Sequence, residues 1–163
     1  MKSYFDYDEF SEWAKKFGIA KSDFRLWLKQ FLLQEAQRVV AKGKRRTPVD
    51  TGFLRNSWYI GSQKIQQKDK TTKSGKTVYS KKSGKAMQVI DMEKSDITSI
   101  KVVGDVLQVE IGLGAEYASF IEFGQRSYQG KYMLTLSVAE VQKQLPARFN
   151  KEWLIFLQEK GVK

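Results

Sequence analysis

Apolar side chains recur along one stretch of the chain with a helical period. Phe24, Trp27, Leu28, Phe31, Leu32, Ala36 and Val39 return at three- and four-residue steps, which makes a wide stripe on one helix face. Ser22 is the candidate N-cap of this helix. Lys42, Lys44, Arg45 and Arg46 crowd its far end, where cations meet the negative pole of the helix dipole. Pro48 has no amide hydrogen and disfavours helical geometry at Thr47, so the helix is expected to stop there. Upstream, a shorter helix is predicted over residues 7–17. Asp6 is its cap, Glu9 stands in capping-box spacing, Phe10, Trp13, Ala14 and Phe17 share one face, and Gly18 follows as a left-handed stop.

Beyond Pro48 the period changes. Val49, Asp50, Thr51 and Gly52 read as a tight turn, and a strand is predicted over residues 57–65 with Trp58 and Ile60 on one face and Ser57 and Tyr59 on the other. Residues 97–103 and 106–111 flank Gly104 and Asp105, a two-residue hairpin turn with glycine first; Leu107, Val109 and Ile111 face one way, Gln108 and Glu110 the other. A short helix is predicted over residues 116–123, with Tyr117, Phe120 and Ile121 buried and Gly124 ending it. From about residue 132 the pattern is helical again, with Leu134, Leu136, Val138 and Val141 as anchors. Pro146 is expected to break or kink it, and a last helix over residues 150–158 carries Trp153, Leu154, Phe156 and Leu157. This order predicts a single α+β domain over residues 1–163: a small antiparallel β-sheet packed against a long N-terminal helix and C-terminal helices.

The segment at about residues 66–88 departs from both periods. From residue 64 to 85 there are eight lysines (Lys64, Lys68, Lys70, Lys73, Lys76, Lys81, Lys82 and Lys85) against one acid, Asp69. Two similar pieces, Thr72-Lys73-Ser74-Gly75-Lys76 and Lys81-Lys82-Ser83-Gly84-Lys85, flank Val78 and Tyr79. This is a long loop or a β-hairpin arm, and its low apolar content leads us to expect mobility in the isolated chain. The whole chain has 163 residues and a net charge of +11, which suits either a polyanionic neighbour or simple solubility.

Composition also removes chemistry. The chain has no cysteine and no histidine, so disulfides, thiolate zinc sites and Ser–His catalysis are excluded within it; Ser57 and Ser119 have no base of that kind. The two Ser-Gly-Lys tripeptides are not a phosphate loop. Glu110, Glu116 and Glu122 are paper candidates for a carboxylate pair, but they read better as solvated faces. No enzyme activity and no cofactor or metal are expected. No run approaches the length of a membrane span, and the first eight residues do not form a signal peptide. Nucleic-acid binding has support from the lysines and from Arg45 and Arg46, which would contact phosphates without reading sequence. The first two helices read as core helices rather than as a helix-turn-helix, because the second is apolar where a recognition helix would be polar.

Two segments carry a resemblance. Residues 46–58 run Arg46-Thr47-Pro48-Val49-Asp50-Thr51-Gly52-Phe53-Leu54-Arg55-Asn56-Ser57-Trp58, and residues 116–124 run Glu116-Tyr117-Ala118-Ser119-Phe120-Ile121-Glu122-Phe123-Gly124. Together and in this order they resemble the small head–tail joining and tail-completion proteins of long-tailed phages and prophages, over roughly residues 24–141. That family often has a Pro-Phe-Leu step where this chain has Lys131-Tyr132-Met133-Leu134. The resemblance implies a structural virion protein of the neck or tail end, made in the host cytoplasm, that assembles with other neck and tail proteins as or onto a ring around the DNA channel. It implies structural roles for Thr47, Pro48, Val49, Asp50, Thr51, Gly52, Leu54, Arg55, Trp58, Tyr117, Ala118, Glu122, Phe123 and Gly124, including an Arg55–Glu122 ion pair within or between subunits. The lysine arm would line the channel, meeting DNA phosphates, or reach a neighbouring subunit.

Overall fold

The computed structural model describes residues 12, 15–16, 18–50, 52–61, 66–81, 83–91, 96–104 and 106–161. Of the helix predicted over residues 7–17, Glu12, Lys15 and Lys16 are described and helical, and the rest lies outside the described residues, as do Thr51, Lys64 and Lys82. Gly18 has the left-handed φ (+69°) expected of a helix stop.

Two long helices carry the molecule. Helix α1 spans Lys21–Arg46 and buries Phe24, Leu28, Phe31, Glu35, Ala36, Val39 and Gly43. Its cap is Ala20 in extended geometry, with no side-chain hydrogen bond, so Ser22 lies inside the helix instead of capping it. It ends at Arg46, before the extended Thr47, as the proline demands. Helix α2 is the single turn Phe53–Asn56, α3 is Ala118–Phe123 and α4 is Met133–Glu159. Helices α1 and α4 run antiparallel. Asp23 near the start of α1 meets Lys160 past the end of α4 (2.5 Å), and Arg46 at the end of α1 reaches Ser137 near the start of α4 (3.1 Å).

Pro146 does not split α4; it lies inside one continuous helix. A helix-interior proline costs roughly 3 kcal/mol. Here Val141 before it and Trp153 and Phe156 after it are all buried, and burial of each such side chain contributes about 1.5–3 kcal/mol. Packing against α1 on both sides of the proline therefore holds the helix together, with the proline ring on the exposed side. The anchors expected before it are partly misphased. Leu136 and Val138 are exposed, and the buried positions are Met133, Ser137 and Val141.

Among the described residues the strands form four antiparallel pairs instead of one sheet. β1 (Trp58–Ile60) pairs with β6 (Ile111–Leu113), β2 (Gln66–Asp69) with β3 (Gln88–Asp91), β4 (Ile100–Val103) with β5 (Val106–Val109), and β7 (Gly124–Gln125) with β8 (Tyr128–Gln129). The β4–β5 hairpin has the expected positive φ at Gly104, and Leu107 and Val109 are half-buried while Gln108 is exposed. β1 is shorter than predicted because α2 precedes it and Gly61, at φ +82°, turns the chain out of extended geometry.

The core has two parts. Ile19, Phe24, Leu28, Trp153 and Phe156 pack together with Trp27, Phe149 and Leu107 between the start of α1 and the end of α4. The rings meet edge-on or stacked, Phe24 against Trp153 at 5.8 Å and Trp27 against Phe156 at 5.2 Å. At the other end, Phe53, Leu54, Trp58, Ala115, Ala118 and Met133 form the second cluster, with Val40, Ile111, Leu113, Ile121 and Leu134 against it.

Candidate assembly site

The second cluster is where the two motif segments meet. Thr47 leaves α1 with its hydroxyl donating to the Gly43 carbonyl (2.8 Å) and accepting from the Trp58 indole N–H (2.9 Å). Both side chains are buried, so the bonds satisfy groups that water does not reach. Pro48, Val49 and Asp50 pass along the surface. Gly52 takes φ +82° at the cap of α2, and its carbonyl accepts from the Asn56 amide (3.0 Å). Leu54 and Trp58 point inward, as the motif reading expects. The Ser57 hydroxyl is buried and donates to the Leu54 carbonyl (2.8 Å), a structural bond. From the other segment, Tyr117 lies beside Phe53 (ring centroids 6.4 Å). Its phenol is pushed above the ordinary tyrosine value, first by partial burial and then by the nearby Asp50 carboxylate.

Glu122 has a role that its motif position did not disclose. Its side chain is buried, and its two oxygens accept the backbone amides of Leu134 (3.0 Å) and Thr135 (2.9 Å) and the Thr135 hydroxyl (2.8 Å). A carboxylate on the free amides at the start of α4 satisfies orphan donors and faces the positive end of the helix dipole. Glu122 is thus the cap of the 27-residue α4, supplied from another helix. Among the described residues Arg55 is exposed and forms no ion pair, so the Arg55–Glu122 pair does not occur within the chain. Tyr132, where the related pattern has proline, sits at φ +48°, a left-handed geometry that a proline ring forbids. Met133 behind it is fully buried.

The outward face of this region differs from the expectation for α3. Ala118 and Glu122 are its buried residues, while Phe120 is 49% and Phe123 66% exposed and Tyr117 is also exposed. The short helix therefore turns its rings outward. Tyr128, Tyr132 and Leu136, on the elements that follow, are exposed as well. Gly124 and Gly130 let these elements close on one another: a Cβ on Gly124 would lie 2.5 Å from the Tyr128 carbonyl oxygen, and one on Gly130 2.6 Å from the Glu122 oxygen.

A polar clasp that sequence reading missed joins the long helices. The Glu140 carboxylate receives Lys42 and Arg46, the latter at 2.6 Å, and Arg46 also donates to Ser137. Hydrogen bonds from Lys42 and then Arg46 hold Glu140 down at about 2, well below the usual carboxylate value. Deeper in, Glu35 is buried and accepts the Arg148 guanidinium (Nε to Oε1 2.9 Å), with Arg38 at 3.1 Å. The signal for Glu35 was its place on the apolar stripe, four residues after Phe31 and four before Val39.

The lysine segment is a hairpin closed by β2 and β3. Lys68, Lys70, Lys73, Lys76, Lys81 and Lys85 are exposed on it. Of the acids weighed for catalysis, Glu110 and Glu116 are exposed and Glu122 is the helix cap. Among the described residues no group of acidic, cysteine or histidine side chains is placed to hold a metal, and no helix is long and apolar enough to cross a membrane.

Residues 11–124 match a family model, HK97-gp10-like, described as "Bacteriophage HK97-gp10, putative tail-component". The match contains both motif segments and the lysine arm, beginning earlier and ending sooner than the resemblance read from the motifs. No curated protein and no solved structure matches the chain.

Proposed function

This chain belongs to the HK97-gp10-like family of bacteriophage tail components, and from that premise we propose that it is a head–tail joining or tail-completion protein that assembles as, or onto, a ring around the DNA channel. Family membership supports a structural virion role with other phage tail proteins as its partners. The observation that carries the finer reading is the outward-facing aromatic corner. The motif helix α3 is fixed from behind by Glu122 and Ala118, yet it presents Phe120 and Phe123 to solvent. A rigid element with exposed rings is what a subunit contact uses, because apolar anchors with little freedom to lose dominate such interfaces. The polar, well-bonded turn behind the corner explains the motif residues as supports for that surface.

The test is the double substitution Phe120→Ser with Phe123→Ser in the producing prophage or phage. Both rings are exposed, so the isolated variant is expected to keep its circular dichroism and melting temperature. Lysates are expected to contain separate heads and tails, with infectivity lower by at least two orders of magnitude. Unaltered infectivity with the folded variant present would contradict the proposal.

A further inference from the structure

The lysine arm belongs to neither core cluster, yet its backbone is organised. Beyond β2 and β3, three backbone hydrogen bonds close a ring. The Lys70 amide donates to Met87 (2.7 Å), the Met87 amide to Val78 (2.8 Å), and the Val78 amide to Lys70 (2.8 Å). From this junction two small lobes project. In the first, Gly75 donates to the Thr72 carbonyl (2.9 Å) and Thr72 to that of Lys76 (2.8 Å). In the second, Gly84 donates to Ser80 (2.9 Å) and Ser80 to Lys85 (2.8 Å). Gly75 and Gly84 both take positive φ, so each Ser-Gly-Lys piece is a turn, which is why the sequence repeats.

The junction and its lobes gather five lysines with no ion-pair partner among the described residues. Lys70, Lys73, Lys76, Lys81 and Lys85 are all exposed. Mutual repulsion on two adjacent lobes is relieved by a polyanion, which also releases its condensed counterions. The arm offers one exposed ring, Tyr79, too few to stack successive bases of a single strand. Its two lobes are built from lysine, serine, threonine and glycine with Val78, Tyr79 and Ala86 between them, too little apolar surface to enter a lipid surface. It also has no arginine, so no bidentate reading of guanine from that residue.

We infer that the two-lobed arm binds the phosphate backbone of double-stranded DNA without regard to sequence. The inference does not depend on the assembly role proposed above, and it is tested on the isolated full-length chain. Fluorescence anisotropy of a mixed-sequence duplex of about 30 base pairs is measured from 50 to 300 mM salt. Each phosphate contact adds about 0.9 to the slope of log affinity against log salt. The five-lysine variant (Lys70, Lys73, Lys76, Lys81 and Lys85→Gln) is expected to bind at least tenfold more weakly at 50 mM salt, with a slope flatter by about 2–4. A charge-matched control (Lys16, Lys101, Arg126, Lys143 and Lys151→Gln) is expected to stay within about threefold of the parent. A mixed sequence and a GC-rich duplex should bind alike. The inference is overturned by absence of binding at 50 mM salt, by equal losses in both variants, or by tighter binding to single strands. Tighter association with phosphatidylserine vesicles than with duplex would overturn it too, as would arm-dependent binding only to a second copy of the chain.

Discussion

Gly43 faces Trp58 across the junction of α1 and β1, and a Cβ there would lie 2.3 Å from the Trp58 Cη2 of the indole. Gly43→Ala would gain helix propensity in isolation, yet in this contact it overpacks the core. We expect a loss of about 1–3 kcal/mol in urea unfolding, where a neutral or stabilising result would contradict the packing described. The requirement was invisible in sequence, because a glycine within a helical stripe gives no hint of the residue that crosses it. Glu35 and Arg148 are a second such case. Removing the cation by Arg148→Met leaves a buried carboxylate with only Arg38 beside it and should cost roughly 3 kcal/mol. Adding Glu35→Leu to Arg148→Met should recover most of that loss; a double variant as unstable as the single one would show that the pair is not coupled. Glu122 was legible as a motif residue, but its cap role depends on where the chain returns twelve and thirteen residues later. Glu122→Ala should cost about 1–2 kcal/mol, and Glu122→Gln less, since its amide oxygen still accepts.

The long helices were legible where apolar spacing and a backbone rule agreed. The stripe from Phe24 to Val39 and the stop before Pro48 both appear as read. At Pro146, where the same rule allows a break or a kink, the break does not occur, because the α1 surface packs on both sides of the proline. The phase of α4 was misread for a related reason: Ser137 and Met133 occupy the buried face, and leucine at 136 drew attention to the wrong one. The short α3 could be located but not oriented, since six residues fit a buried or an exposed ring face equally well. Ion pairing between α1 and α4 gives these elements a pH dependence. Glu140 is held at about 2 in the folded chain against an ordinary value of 4.5. A depressed carboxylate contributes its stability in full above the ordinary value and loses it as pH falls through that window. Stability of the parent should therefore decline between about pH 4.5 and 2 more steeply than that of Glu140→Gln, as read by urea midpoints across that range.

Across the described molecule, the two long helices and the short strand pairs support two surfaces of different chemistry. One is a corner of exposed rings braced by the motif residues. The other is an arm of lysines held by backbone bonds. The family was legible because its motif residues are local: a proline stop, a glycine turn, and a glutamate and glycine around a short helix. The arrangement of strands in pairs was not legible, because pairing is set by contacts far apart in the chain. The protein's place as a structural component of the tailed particle is checked by quantitative mass spectrometry of gradient-purified particles, calibrated against the major tail-tube protein. The protein is expected at a fixed small number of copies per particle, retained after a high-salt wash. Infectious particles that lack it, or carry it only in a variable trace removed by washing, would overturn that role.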